Sequence, residues 1–172
     1  MKGLNYILLS VFLFTFFVLP GYAGNLNVSG RAGMYTPTQL GATPTLMYGL
    51  SADYALNSNL SVRAAYDTTT YSLNNIQYSY TPVTVDLIYG QSIGGLLTPY
   101  AGAGVSYNTT AVGGVSTSTA GAQGEVGLKF NLGGFSAGFE VRYLVPDLNK
   151  PNTGSTNYGG YATGSFSQGF NL

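Results

Sequence analysis

The chain predicts an all-β fold: an eight-stranded antiparallel up-and-down β-barrel that spans a membrane, preceded by a cleavable signal peptide. Three observations carry this. Apolar and polar residues alternate with period 2 through eight segments, and the connections between them run long, short, long, short, long, short, long. Every strand-borne charge falls on the polar parity. Charged residues make up only 7% of the 172, too few to clothe the wet exterior of a soluble β-protein.

Residues 122–145 show the pattern most clearly. Ala122, Gly124, Val126, Leu128, Phe130 and Leu132 alternate with Gln123, Glu125, Gly127, Lys129 and Asn131. After Gly133-Gly134 the parity swaps: Phe135, Ala137, Phe139, Val141, Tyr143 and Val145 take the apolar places, and Leu144 is the one exception among their partners. Two glycines between such runs predict a two-residue hairpin turn. That turn sets Leu132 opposite Phe135, and hence Glu125 opposite Arg142. Lys129 then faces Gly138 and lies diagonal to Glu140, while Phe130 meets Ala137 and Leu128 meets Phe139. One register satisfies both faces, and cross-strand pairs of this kind each contribute a few tenths to about 1 kcal/mol.

Met1 to Ala23 reads as the signal peptide. Lys2 supplies the positive start, Ile7 to Leu19 the apolar run, and Gly21-Tyr22-Ala23 small residues near the cleavage point. The run is shorter than the roughly 20 residues a spanning helix needs. The barrel domain is therefore expected over residues 24–172.

The other strands follow in order. Leu26 to Tyr35 is the first. Thr36 to Thr45, with two prolines and a glycine, is a loop. Leu46 to Leu56 is the second strand, Asn57-Ser58-Asn59 a tight turn, and Leu60 to Tyr66 the third. Pairing Leu56 with Leu60 sets Asp53 against Arg63. Asp67 to Asn75 reads as a polar loop, Ile76 to Tyr89 as the fourth strand, and Gly90 to Gly95 as a turn. Leu97 to Tyr107 is the fifth strand, and Asn108 to Thr119 a Thr/Ser/Gly loop. Strands six and seven form the hairpin above. Pro146 to Asn157 is a loop, and Tyr158 to Leu172 the eighth strand, with Ala162, Phe166, Phe170 and Leu172 on the apolar parity.

The charges on the polar parity are Arg31, Asp53, Arg63, Asp67, Asp86, Glu125, Lys129, Glu140 and Arg142. A transmembrane barrel turns its apolar parity to lipid and its polar parity to the lumen, and closure removes the sheet edges that lipid cannot solvate. Arg31, Asp53, Arg63, Asp86, Glu125, Lys129, Glu140 and Arg142 are then expected to fill the lumen as an ion-pair network, because eight strands enclose a space just wide enough for side chains. A polar conduit is the alternative use of the same residues. Tyr100, on the lumen parity, is expected to pack there.

Thr98-Pro99-Tyr100-Ala101-Gly102-Ala103-Gly104-Val105 and Phe139-Glu140-Val141-Arg142-Tyr143 resemble the fifth and seventh strands of small bacterial outer-membrane β-barrel proteins of the OmpX, OmpA-barrel, OmpW and opacity-protein type. The resemblance extends over the mature chain as pattern. It implies a Gram-negative outer-membrane location, contact with outer-membrane lipid and lipopolysaccharide, and a monomer. It also implies a C-terminal assembly signal read by the barrel-assembly machinery, here Phe166, Phe170 and Leu172, although Leu172 is not aromatic.

Composition excludes several activities. The formal net charge is zero, so no basic surface exists to hold nucleic acid. There is no Cys and no His, which removes thiolate metal sites and the commonest metal ligand and general base. No metal or cofactor is expected. Enzymes that resemble this family use a His with Ser, Asp or Glu, so no catalytic residues are expected either. Glu125 and Glu140 do not read as a glycosidase pair, because each has a cation partner in the expected register. Gly102-Ala103-Gly104 lies inside a strand and is not a nucleotide loop. The sequence points to a non-enzymatic barrel that presents loops at the surface. Passive, porin-like passage of small or hydrophobic solutes and adhesion through the loops are the alternatives.

Overall fold

The computed structural model describes residues 26–37, 43–132, 135–150 and 155–165, the last of these by backbone alone. The expected signal peptide, the Gly133-Gly134 turn and the assembly signal at Phe166, Phe170 and Leu172 lie outside the described residues. The strands are β1 (Leu26–Pro37), β2 (Thr45–Ala55), β3 (Leu60–Leu73), β4 (Ile76–Gly90), β5 (Leu97–Val112), β6 (Val115–Leu132), β7 (Phe135–Val145) and β8 (Ser155–Ser165). Each pairs antiparallel with its sequence neighbours, and β1 pairs with β8, which closes the sheet into an up-and-down barrel.

The registers follow the turn chemistry. Leu132 pairs with Phe135 and Glu125 with Arg142. Asp53 pairs with Arg63. The turn between β2 and β3 is closed by Asn57, whose Oδ1 accepts from the backbone N–H groups of Asn59 and Leu60, both at 2.9 Å. A short polar side chain that bonds its own backbone two residues on is what makes Asn a turn residue.

Inside and outside are inverted relative to a soluble protein. Leu50, Val105 and Phe139 are 61%, 63% and 52% exposed, whereas Arg142 and Glu125 are 2% and 4% exposed. The apolar parity forms the outer wall, and the charges fill the middle of the lumen. The small apolar core consists of Tyr35, Met47, Tyr80 and Leu144, with Tyr71 packed against it. It accounts for Leu144, whose place in the alternation is otherwise anomalous: Leu144 points inward with the lumen residues and caps them at one end.

The segments Asp67–Asn75 and Asn108–Thr119 differ from the expected loops. Both are strand. β3 and β4 continue to a two-residue turn at Asn74-Asn75, with φ of 52° and 64°, and β5 and β6 to one at Gly113-Gly114, with φ of 56° and 84°. Positive φ at both central residues is the twist-matched hairpin turn that Asn and Gly adopt at least cost. The segments read as loops because their outward parity turns polar: Thr68, Thr70 and Ser72 on β3, Gln77, Ser79 and Thr81 on β4, and Ser116 and Ser118 on β6. The inward parity becomes aromatic or apolar instead, with Tyr71, Leu73, Tyr78 and Tyr80. Thr and Tyr are both enriched in strands. Pairing therefore persists while the outer surface changes from greasy to wet. Pro82 stands at the change, and the β3–β4 ladder skips from Tyr66↔Val83 to Thr69↔Tyr80 beside it, since Pro has no N–H to donate.

The barrel thus has an upper end, where the β3–β4 and β5–β6 hairpins project and residues 146–150 cross, and a lower end formed by the turns at 56–59 and 91–96. The eighth strand begins at Ser155, three residues before the expected Tyr158. Its register sets Ala162 opposite both Gly30 and Ala137.

Candidate functional site

Three guanidinium groups cross the lumen. Arg31 on β1 donates from Nη2 to Glu140 Oε1 at 2.6 Å, and its Nε lies 3.5 Å from Asp67 Oδ1. Arg63 on β3 donates to Asp53 Oδ1 at 2.7 Å, to Glu125 Oε1 at 2.9 Å and to Glu140 Oε2 at 2.6 Å. Arg142 on β7 donates to Glu125 Oε2 and Asp67 Oδ2, each at 3.1 Å, and to Glu140 Oε1 at 3.0 Å. Glu140 is the hub: it accepts from all three arginines and from the Tyr100 hydroxyl at 2.7 Å. The Tyr100 ring also lies under Arg63, with Cζ 5.3 Å from the centroid. Tyr100 is therefore more than packing, since it fixes one Glu140 oxygen and offers its π face to a buried cation.

Glycines on intervening strands make these reaches possible. Tyr100 pairs with Gly127, and Gly127 with Glu140, so the tyrosine lies across a bare backbone to its acceptor. A Cβ on Gly127 would overlap the Tyr100 ring. Gly49 stands between Arg31 and Asp67 in the same way, and Gly104 between Asp86 and Gln123. Added Cβ atoms at these two positions would overlap the Asp67 and Asp86 carboxylates. The period-2 pattern marks these glycines as lumen-facing. It does not show that each bridges strands two apart.

The candidate residues separate into two groups. Arg31, Asp53, Arg63, Glu125, Glu140 and Arg142 come together, joined by Asp67, which the sequence places on the lumen parity but outside the candidate set. No cation stands beside Asp67 on a neighbouring strand, and its partners reach it from β1 and β7, so adjacency in sequence gives no signal. Asp86 joins no ion pair among the described residues. It is held by Gln123 Nε2 and by Thr84 Oγ1 at 3.1 Å. Lys129 is likewise outside the lumen's ion pairs. Its expected diagonal partner Glu140 is taken by the arginines, whose forked donors satisfy more carboxylate oxygens than an ammonium can.

No protein-family model matches the chain, and no curated protein matches it. Solved structures do. Neisserial surface protein A is 21% identical, with 82% of this chain and 97% of that one covered and a TM-score of 0.69. The N-terminal β-barrel domain of Pseudomonas aeruginosa OprF is 21% identical, covering 83% and 99%, with a TM-score of 0.60. The chain has the fold of the small outer-membrane β-barrel proteins. A third neighbour is the outer-membrane enzyme PagL, 18% identical over 81% of this chain and 99% of that one, with a TM-score of 0.54. The likeness is one of fold, and this fold carries both enzymes and non-enzymes.

In an outer-membrane barrel of this kind, the exposed belt of Leu50, Val105, Val126 and Phe139 is the surface that lipid would cover. Above and below the ion pairs the lumen widens. The lower cavity, about 290 Å³, is lined by Asn27, Asp53, Arg63, Tyr100, Lys129 and Asn131 among others. The upper cavity, about 520 Å³, is lined by four tyrosines and by Thr110, Thr119, Asp147 and Lys150. Among the described residues no cluster of three or more His, Cys, Asp or Glu is placed to hold a metal ion.

Proposed function

We propose that the protein is an integral barrel of the bacterial outer membrane, closed by the lumen ion pairs, which serves without catalysis as a scaffold for the polar hairpins of its upper end. The observation that carries this reading is Glu140, which takes donors from Arg31, Arg63, Arg142 and Tyr100 at once. A carboxylate bound from three sides cross-braces the wall where a channel would have to pass. The outer-membrane neighbours support the location, and the absence of histidine supports a non-catalytic role. The surrounding partners in this reading are outer-membrane lipid and lipopolysaccharide, with the barrel-assembly machinery acting during biogenesis on a monomer.

Planar-bilayer recording tests the seal. The purified protein is expected to give no steady openings, and Arg63→Ala with Glu140→Ala to open it; steady conductance by the unaltered protein would sink the sealed-barrel reading. Fractionation tests the location, with heat-modifiable mobility in the outer-membrane fraction as the expected result.

Passive passage of small solutes is a second reading, favoured by the lower cavity, which reaches the ion pairs at Asp53 and Arg63. The same recordings separate the two. Adhesion through the upper hairpins is a third, tested by surface binding of cells whose β3–β4 and β5–β6 tips are shortened.

A further inference from the structure

The upper cavity has two unlike walls. Tyr80, Tyr35, Tyr71 and Tyr78 form a continuous run of rings along β1, β3 and β4. Tyr35 stacks on Tyr80 with centroids 5.2 Å apart, Tyr35 meets Tyr71 at 5.6 Å, and Tyr71 stacks on Tyr78 at 5.3 Å, only 11° from parallel. Facing them are Thr110 and Thr119 with Asp147 and Lys150. That second wall is built rather than draped. The Pro146 carbonyl accepts from Thr119 Oγ1 at 2.6 Å and from Asn108 Nδ2 at 2.9 Å, and Asn108 in turn accepts from the Tyr80 hydroxyl at 2.7 Å. The Leu148 N–H closes on Ala120 O at 3.0 Å. One hydrogen-bonded chain therefore ties the polar wall to the last ring of the aromatic wall. Asp147 Oδ1 takes the Asn149 N–H at 2.9 Å and the Asn149 Nδ2 at 3.2 Å, so among the described residues Oδ2 is the oxygen that a ligand hydroxyl would meet.

We propose that this cavity is a binding site for a neutral sugar ring. Its volume, about 520 Å³, lies within the 300–1,000 Å³ typical of small-molecule sites, which combine apolar surface with a few placed polar groups. A pyranose has the matching shape: a flat C–H face for the half-buried Tyr71 and Tyr78 rings and an edge of hydroxyls for threonine and carboxylate. Asp147 and Lys150 cancel in charge, so the site favours a neutral ligand over an anion or a cation. Toward the middle of the barrel the cavity ends on the core of Tyr35, Met47, Tyr80 and Leu144, beyond which lie the ion pairs around Glu140. Tyr71, Tyr78 and Tyr80 are turned inward where the wall outside the belt is already wet, so keeping them off the surface gives the mouth an aromatic lining. The sugar could be free or carried on a glycolipid, since only the ring enters.

The test uses the full-length folded protein in detergent micelles and in phosphatidylcholine nanodiscs. The chain has no Trp, so intrinsic tyrosine emission is readable without interference. Glucose, galactose, N-acetylglucosamine and lactose would be titrated by emission and by saturation-transfer NMR, with a galactosyl glycolipid added to the nanodiscs as the lipid-borne arm. Saturable binding of at least one sugar is expected, in the free arm, the lipid arm or both. Tyr78→Ala and Asp147→Asn should each weaken it about tenfold, Tyr78→Phe should keep most of it, and Ser79→Ala, on the outward parity, should leave it unchanged. Heat-modifiable mobility checks that each variant is folded. No saturable binding in either arm would overturn the proposal, and so would binding that folded Tyr78→Ala and Asp147→Asn both leave intact.

Discussion

Tyr100 reaches Glu140 across Gly127: the hydroxyl donates to Oε2 at 2.7 Å over the one residue that separates them in the sheet. A side chain at position 127 would meet the Tyr100 ring before anything else. Gly127→Ala is therefore expected to displace the ring and break its hydrogen bond. Overpacking in a close-packed interior costs about 1–3 kcal/mol, and a hydrogen bond to a charged group about 1.5–3 kcal/mol. Tyr100→Phe should lose only the second contribution. Urea unfolding of the protein in lipid vesicles, followed by tyrosine emission, checks both, and Gly127→Ala as stable as wild type would refute the account.

Removing one partner of a buried charge cluster leaves the others uncompensated. Arg142→Met strips a donor from Glu125, Asp67 and Glu140 together and is expected to cost about 3–5 kcal/mol. Lys129→Met removes no lumen ion pair and should cost under about 1 kcal/mol. The pair of unfolding midpoints is the measurement. Equal losses would mean that the lumen responds to net charge rather than to the geometry at Glu140.

The change of outer surface near Tyr66 and Val83 has its own signature. An arginine on the lipid face near the bilayer midplane costs about 2–4 kcal/mol, and near the interface little or nothing. Val126→Arg, on the exposed belt, should destabilise by that amount and slow insertion into vesicles. Ser79→Arg, on the outward parity of the upper extension, should do neither. If the two variants fold alike, the belt does not end where the outward residues turn polar.

The upper turns are set by backbone conformation. Gly114 sits at φ 84°, a left-handed conformation that an L side chain adopts only at a cost, and Gly114→Ala is expected to cost about 1 kcal/mol although the space around it is open. Asn75→Gly, at φ 64°, should be neutral or slightly stabilising in the same hairpin geometry. Hydrogen exchange of the flanking amides at Val112 and Val115, and at Leu73 and Ile76, reports each change locally.

The hairpin registers were legible because they are local. Gly133-Gly134 and Asn57-Ser58-Asn59 fix which residues oppose, and Glu125–Arg142 and Asp53–Arg63 follow by counting. The upper extensions were not legible. A strand outside lipid no longer needs an apolar outer face, so its alternation inverts and a composition rich in Thr and Ser reads as loop. Asp86 and Lys129 carried the right parity, but parity alone does not choose partners.

By itself, then, the sequence determined the strand count, the inversion of greasy and polar faces, and the pairs within the β2–β3 and β6–β7 hairpins, since a period of 2 and a turn are properties of neighbouring residues. Closure through β1 and β8 and the hub at Glu140 were decided only by the tertiary structure. Arg31 and Glu140 are 109 positions apart, and Arg142 and Asp67 are 75 apart. What brings them together is the curvature of the closed wall and the bare glycines between them, and neither is written in the order of any two adjacent strands.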